Sequence, residues 1–183
     1  MSPAPFDPRA VCNALLDEGE RCALPVTNLA LQKLLYFTHG LHLMEAKRPL
    51  VSGYFEAWQH GPVHPTAYAA FKQAKDKPIS FRARRHDPLT GFAADLQAVT
   101  DEQALQYVRR VMAHYGRLTP GRLVTLSHAQ KAPWHFVVES TKSAMVLGLR
   151  IPDTVIAERF KYHVASVGSV PSGGEPIEDA PFA

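Results

Sequence analysis

Between Thr27 and Lys47 the chain carries an apolar pattern too broad for a helix that lies on a protein surface. Leu31, Leu34, Leu35, Thr38 and Leu41 recur at three- and four-residue spacing, and Ala30, Leu34, Phe37, Leu41 and Met44 form a second stripe beside the first. A helix with two adjoining apolar stripes must be enclosed by other elements over most of its circumference. Only the line through Gln32, Tyr36 and His39, with Lys33, Glu45 and Lys47 farther out, reads as hydrophilic. Thr27, after Pro25, is the expected N-cap. Gly40 in a helix interior costs about 1 kcal/mol against alanine, which predicts a bend or a close approach by another backbone.

The rest of the chain supplies short elements to enclose this helix. Asp7-Pro8 predicts a helix with Ala10, Val11, Ala14 and Leu15 on one face, ended by Gly19, while Met1 to Phe6 has no pattern and reads as loosely held. Gly53 to Trp58 reads as a strand with Phe55 and Ala57 on one face, followed by a turn at Gly61-Pro62 and a helix opened by Pro65. Ile79, Phe81 and Ala83 alternate with Ser80, Arg82 and Arg84 ahead of the loop Asp87 to Gly91, so a hairpin is expected there. Thr100 with Gln103 reads as a capping box for a helix carrying Leu105, Val108, Val111 and Met112 to Gly116. Thr119-Pro120 starts a short helix that Pro133-Trp134 interrupts, residues 135 to 150 fit either helix or strand, and Pro152-Asp153 opens the last helix. The expected fold class is α+β, mainly α: a helical domain around a central buried helix, with a small β-sheet or hairpin.

Nine of the residues from 166 to 183 are Gly, Pro or Ser, and this stretch holds Glu175, Glu178 and Asp179 with no Lys or Arg. It is expected to be a disordered acidic tail after a single domain spanning 1–165. No apolar run is long enough to span a bilayer and no signal pattern opens the chain, so a cytoplasmic protein without a membrane partner is expected. Cys12 and Cys22 make no C-x-x-C, which excludes a four-cysteine zinc site within one chain. A formal charge of +3 is too mild to imply nucleic acid by itself.

Nine histidines invite a metal or catalytic reading. His39 and His42 lie three apart on the central helix, and His60 and His64 flank Gly61-Pro62, so a zinc hydrolase built on His39, His60 and His64 is one reading. No H-E-x-x-H and no carboxylate at ligand spacing accompany them, and histidines bonding turn carbonyls are the plainer account. Ser127-His128 has no G-x-S-x-G context, and neither cysteine sits where its thiolate would be favoured. No catalytic, cofactor-binding or metal residues are therefore assigned, and no cofactor is expected. Arg82, Arg84 and Arg85, next to His86, would give a strand a cationic edge, which suits a nucleic-acid-binding autoregulator or a solvated edge that discourages aggregation.

Leu31-Gln32-Lys33-Leu34-Leu35-Tyr36-Phe37 with His39-Gly40 is followed by Phe55-Glu56-Ala57-Trp58, Gly61-Pro62-Val63, Pro65 and Tyr68, then by Ser127-His128 and Ala132-Pro133-Trp134. This series resembles the Panacea domain, the SocA-like antitoxin family, over roughly Asp7 to His163. The resemblance implies a mainly helical domain with a small sheet that neutralises a cognate toxin protein by direct binding without catalysis, and it adds delivery of the toxin to the ClpXP protease. It marks Tyr36, His39, Glu56, Trp58, His60, Gly61, Pro62, His64, Tyr68, His128 and Trp134 as candidate partner-binding or signature residues. Turn-setting and packing around the central helix is the plainer role for Gly61, Pro62, Trp58, Tyr36 and Tyr68.

Overall fold

In the computed structural model residues 4–141 and 148–166 are described, and among them seven α-helices and five short strands make a mainly helical α+β fold. Helix α1 (Pro8–Arg21) is capped by the Asp7 carboxylate, and α2 (Asn28–Ala46) by the Thr27 hydroxyl, which accepts the Ala30 N–H. Prolines open α3 (Pro65–Phe71), α5 (Pro120–Ser127) and α6 (Pro133–Ser140), positions where no intrahelical N–H is lost. Between them lies α4 (Glu102–Tyr115), and α7 (Asp153–Arg159) runs on into a 3-10 turn, Phe160–Ser166. Strand β1 (Phe55–Trp58) is the centre of an antiparallel sheet, flanked by β2 (Gly61–Val63) and β5 (Arg150–Ile151). Strands β3 (Arg84–His86) and β4 (Ala93–Asp95) pair only with each other. No helix among the described residues is long and apolar enough to cross a membrane.

Everything else is arranged around α2. Fifteen of its 19 residues are buried, so it has no continuous face toward water. It packs against α1, α3, α4, α5, α7 and β2. Both apolar stripes are enclosed except at the half-buried Leu41 and Met44, and so is the line read as hydrophilic: Gln32, Lys33, Tyr36 and His39 are all at most 1% exposed. Lys33, expected to lie farther out, is buried completely because β2 passes over it and offers a carbonyl. Tyr36 sits among Phe37, Phe55 and Phe160 at centroid distances of 5.5, 5.6 and 5.9 Å. Each such ring contributes about 1.5–3 kcal/mol through burial. The close approach expected at Gly40 is made by a side chain, since a β-carbon there would fall on the Phe160 ring.

Several boundaries differ from those the sequence suggests, each for a local reason. Gly19 does not end α1, which continues to Arg21; the missing side chain instead makes room for the returning loop, because a β-carbon would lie 3.1 Å from the Leu24 carbonyl oxygen. Phe6 is held rather than loose: its N–H donates to the Leu50 carbonyl and its carbonyl accepts the Ser52 N–H. The N-cap of α4 is Asp101, one residue after Thr100, and its carboxylate accepts the Ala104 N–H at 2.8 Å while Gln103 instead accepts from Arg48. Pro133-Trp134 starts α6 as well as ending the preceding pattern. The stretch after Trp134 is a helix to Ser140 and a strand at Arg150–Ile151. Of the tail expected over 166–183, Ser166 closes the 3-10 turn and residues 167–183 lie outside the described residues.

Gly40→Ala is expected to lower stability by about 1–2 kcal/mol in urea unfolding, because overlap with the Phe160 ring outweighs the ~1 kcal/mol gain in helix propensity. In a Phe160→Ala background the same change should be neutral or stabilising.

Candidate functional site

The residues that carry the family resemblance converge where the β1–β2 hairpin lies across α2. The pairing Trp58 with Gly61 leaves Gln59-His60 as the connecting turn, so Gly61-Pro62 belongs to β2 and is not itself the turn. Gly61 has φ +101°, and a β-carbon on it would collide with the Ser127 hydroxyl, so the position requires glycine twice over. Opposite Pro62, Ala57 directs its N–H to the Leu149 carbonyl at 2.7 Å, away from β2. The register therefore asks Pro62 for no donor, and its carbonyl faces outward to accept Lys33 Nζ at 3.1 Å. A buried ammonium is thus used to satisfy a strand edge.

The histidines near α2 are held by the fold's own groups. His39 accepts the Val51 N–H on Nδ1 at 3.4 Å and donates from Nε2 to Asp153 at 3.1 Å, which fixes its tautomer. His64 Nε2 donates to the Ser52 carbonyl at 2.9 Å, and its backbone N–H donates to Gln32, whose own amide donates to Asn28. His42 Nδ1 donates to the Arg48 carbonyl at 2.9 Å. Burial lowers the pKa of both His42 and His64. Tyr36 OH donates to His163 Nε2 at 2.9 Å, and His163 Nδ1 donates to the Leu126 carbonyl at 2.9 Å, an arrangement that needs a neutral imidazole. Burial accordingly pushes His163 down to about 4.

A second layer of aromatic groups lies outside the hairpin. Trp58 Nε1 donates to Glu56 at 2.8 Å, Tyr68 meets the Trp58 ring edge-on at 4.8 Å, and Trp134 Nε1 donates to the Trp58 carbonyl at 2.9 Å. His128 lies flat on Trp134, with centroids 3.7 Å apart and planes 11° apart. Burial first, then the charges of Lys33, His60 and His135, push its pKa down to about 3. Ser127 donates to the Val124 carbonyl within its own helix, so Ser127 and His128 do not form a nucleophile–base pair.

His39 and His64 flank the Phe55 ring, each 5.2 Å from it, whereas His60 sits in the hairpin turn. Among the described residues no three His, Cys, Asp or Glu side chains come together so as to hold a metal ion. Cys12 is buried, and its thiol is pushed well up by that burial. The basic run is divided. Arg82 precedes β3 and is held by Asp17 at 2.7 Å and Glu20 at 2.9 Å on α1, so it is not a strand-edge residue as its alternation suggested. Arg84 pairs with Asp95 at 3.0 Å across the hairpin, and Arg85 is exposed.

Residues 31–135 match the family model described as "Antitoxin SocA-like, Panacea domain", a span from the first turn of α2 to the start of α6. The chain belongs to this Panacea-domain family. It is 42% identical to Antitoxin SocA of Caulobacter vibrioides (strain NA1000 / CB15N) over 181 residues, covering 99% of this chain and 96% of that protein. No solved structure matches it significantly. In this member of the Panacea family the matched span holds the site's hairpin and most of α2, but it ends before Asp153 and His163, which complete the buried polar network. His163 follows Ile156 and Phe160 at helical spacing, and that stripe was a usable signal for it. Nothing in the sequence marks Lys33 as buried, because its partner is a backbone carbonyl 29 residues away.

The titration of His163 gives a signed prediction. Unfolded, it titrates near 6.5, and folded near 4. Between those values the unfolded chain takes up a proton that the folded chain does not, so stability is full above pH 6.5 and falls with acidity by up to ~1.4 kcal/mol per pH unit. Urea midpoints should therefore decrease from pH 7 to pH 5, and His163→Gln, which keeps an acceptor near Tyr36, should reduce that slope. Separately, Trp134→Phe removes the donor to the Trp58 carbonyl and is expected to cost about 1–3 kcal/mol in the same assay.

Proposed function

We propose that this chain is the antitoxin of a toxin–antitoxin pair, acting in the cytoplasm by binding its cognate toxin protein directly and without catalysis. The observation that carries this reading is the 42% identity to Antitoxin SocA across 99% of the chain. The geometry supports a binding role as well. His39 and His163 have both ring nitrogens engaged by the fold itself, and Tyr36 its hydroxyl proton, so these buried residues hold a scaffold in shape. Partner contact is then made by surfaces that this scaffold displays. In the finer version of the proposal a single domain over 1–165 binds the toxin, and the acidic segment 166–183 contacts the ClpXP protease, to which the toxin is delivered.

Co-expression with the product of the neighbouring gene tests the reading. Growth rescue and co-purification are expected, together with a short toxin half-life that lengthens in cells lacking ClpXP. Deleting residues 167–183 should lengthen that half-life while leaving the thermal midpoint of the domain unchanged. Rescue with an equally stable toxin in both strains would remove the delivery step and leave neutralisation by occlusion. Neither rescue nor co-purification would remove the antitoxin reading altogether.

A further inference from the structure

The β3–β4 hairpin is where this fold puts large apolar side chains into water. Leu89 is 94% and Phe92 71% exposed, against 37% and 36% for Tyr54 and Phe136. Guanidinium groups cover the latter two, Arg150 at 3.8 Å over Tyr54 and Arg159 at 3.6 Å over Phe136. The loop that displays Leu89 and Phe92 is built rather than slack. The Asp87 carboxylate accepts the N–H groups of Leu89 and Thr90 at 2.8 and 2.9 Å, the Asp87 carbonyl accepts the Gly91 N–H at 2.8 Å, and the Asp87 N–H donates to the Phe92 carbonyl at 2.9 Å. A loop already fixed in one shape loses little freedom when it is bound.

The tip carries charge of both signs, but its two carboxylates are each engaged by the fold. Asp87 is occupied within the turn and Asp95 by Arg84, while Arg85 and His86 have no carboxylate partner among the described residues. Between β3 and α3 runs a groove of about 680 Å³ floored by Ala70, Phe81 and Ala83. Every ionisable residue lining it is a base: Arg9, Lys72, Arg82, Arg84 and His86. The carboxylates that pair with three of these, Asp7, Asp17, Glu20 and Asp95, are not among its lining residues.

We infer that the β3–β4 hairpin and this groove are the surface that engages the toxin, with Leu89 and Phe92 entering an apolar cleft whose acidic rim faces Arg85, His86 and the bases of the groove. The assignment rests on the antitoxin reading above. A protein fits better than a nucleic acid because phosphates would satisfy the arginines yet leave Leu89 and Phe92 in water, whereas an apolar cleft buries them. Arg85 and the groove bases then supply orientation and association rate.

The test uses the full-length chain and the purified neighbouring-gene product, titrated by calorimetry. The double variant Leu89→Ser/Phe92→Ser should bind at least about 30-fold more weakly. Its thermal midpoint should not move, because both side chains are exposed. Arg85→Glu should weaken binding about tenfold at low salt and less at high salt. Wild-type affinity in both variants would overturn the hairpin surface and leave the antitoxin reading standing, whereas a wild-type chain that does not bind overturns both. Three other outcomes also overturn it. A dimer that the double variant converts to monomer would make the hairpin a self-association surface. Binding of a labelled DNA duplex, lost with Arg84→Glu/Arg85→Glu but kept by the double serine variant, would make it a phosphate surface. A loss of thermal stability in the double variant, reproduced by deleting residues 167–183, would assign the groove to the chain's own acidic end.

Discussion

A helix buried over most of its surface must find hydrogen-bond partners for the polar side chains it carries, and α2 carries seven buried ones, Asn28, Gln32, Lys33, Tyr36, Thr38, His39 and His42, of whose polar atoms only His42 Nε2 is left without a partner among the described residues. Leaving one such group without a partner costs about 1–3 kcal/mol, and more when the group is charged. The neighbours of α2 are therefore not interchangeable. β2 has to present the Pro62 carbonyl to Lys33, α7 has to present Asp153 to His39, and the turn after α7 has to bring His163 to Tyr36. The loop after α2 has to present the Arg48 carbonyl to His42. Apolar stripes alone would accept many packings. It is the polar line that selects one.

The same distinction explains what could be read from the sequence. The position of α2, its Thr27 cap, the helices opened by Pro65 and Pro120 and the mainly helical class follow from periodicity and end signals that lie within a few residues of one another. The burial of Lys33, the place of Gly61-Pro62 in a strand and the extension of α1 through Gly19 depend on what arrives from elsewhere in the chain. A glycine marks a close approach without saying whether a helix ends there. At Gly40 and Gly19 the approach was decisive, made by Phe160 and by the Leu24 loop, and both helices continue. The pairing of Arg82 with Asp17 and Glu20 is likewise tertiary, and it turns part of an apparent cationic run into a contact between α1 and the segment leading to β3.

The sequence could name candidate residues one by one but could not show their arrangement. Trp58, Tyr68, His128 and Trp134 do cluster, but the cluster closes on itself: Trp134 is tied to the Trp58 carbonyl and His128 lies flat on Trp134. Burial, with the charges of Lys33, His60 and His135 nearby, makes His128 hard to protonate, as its pKa of about 3 reflects. An imidazole kept neutral in this way serves as a flat, weakly polar packing surface. His39 is a similar case, since an Asp–His pair is the orienting half of a catalytic triad, yet here the lone pair of the other ring nitrogen is occupied by the Val51 N–H, leaving none with which to take a proton from a nucleophile.

Inward-facing signature residues separate two tasks that a binding protein must perform. Tyr36, His39, Gly61, Pro62 and His64 fix how the hairpin, α5 and α7 sit on α2, so changing any of them alters the scaffold whatever partner is bound. Leu89, Phe92 and Arg85 make no such contribution to the scaffold, because the turn that holds them is closed by backbone groups and by the Asp87 carboxylate. Substitution at these exposed positions is expected to leave folding within about 0.5 kcal/mol while changing the shape and charge that a partner meets. A fold divided in this way can keep its core and exchange its partner. Its family resemblance is then legible in the buried residues, and on the proposed toxin surface the choice of partner would be written on a hairpin that the core does not constrain.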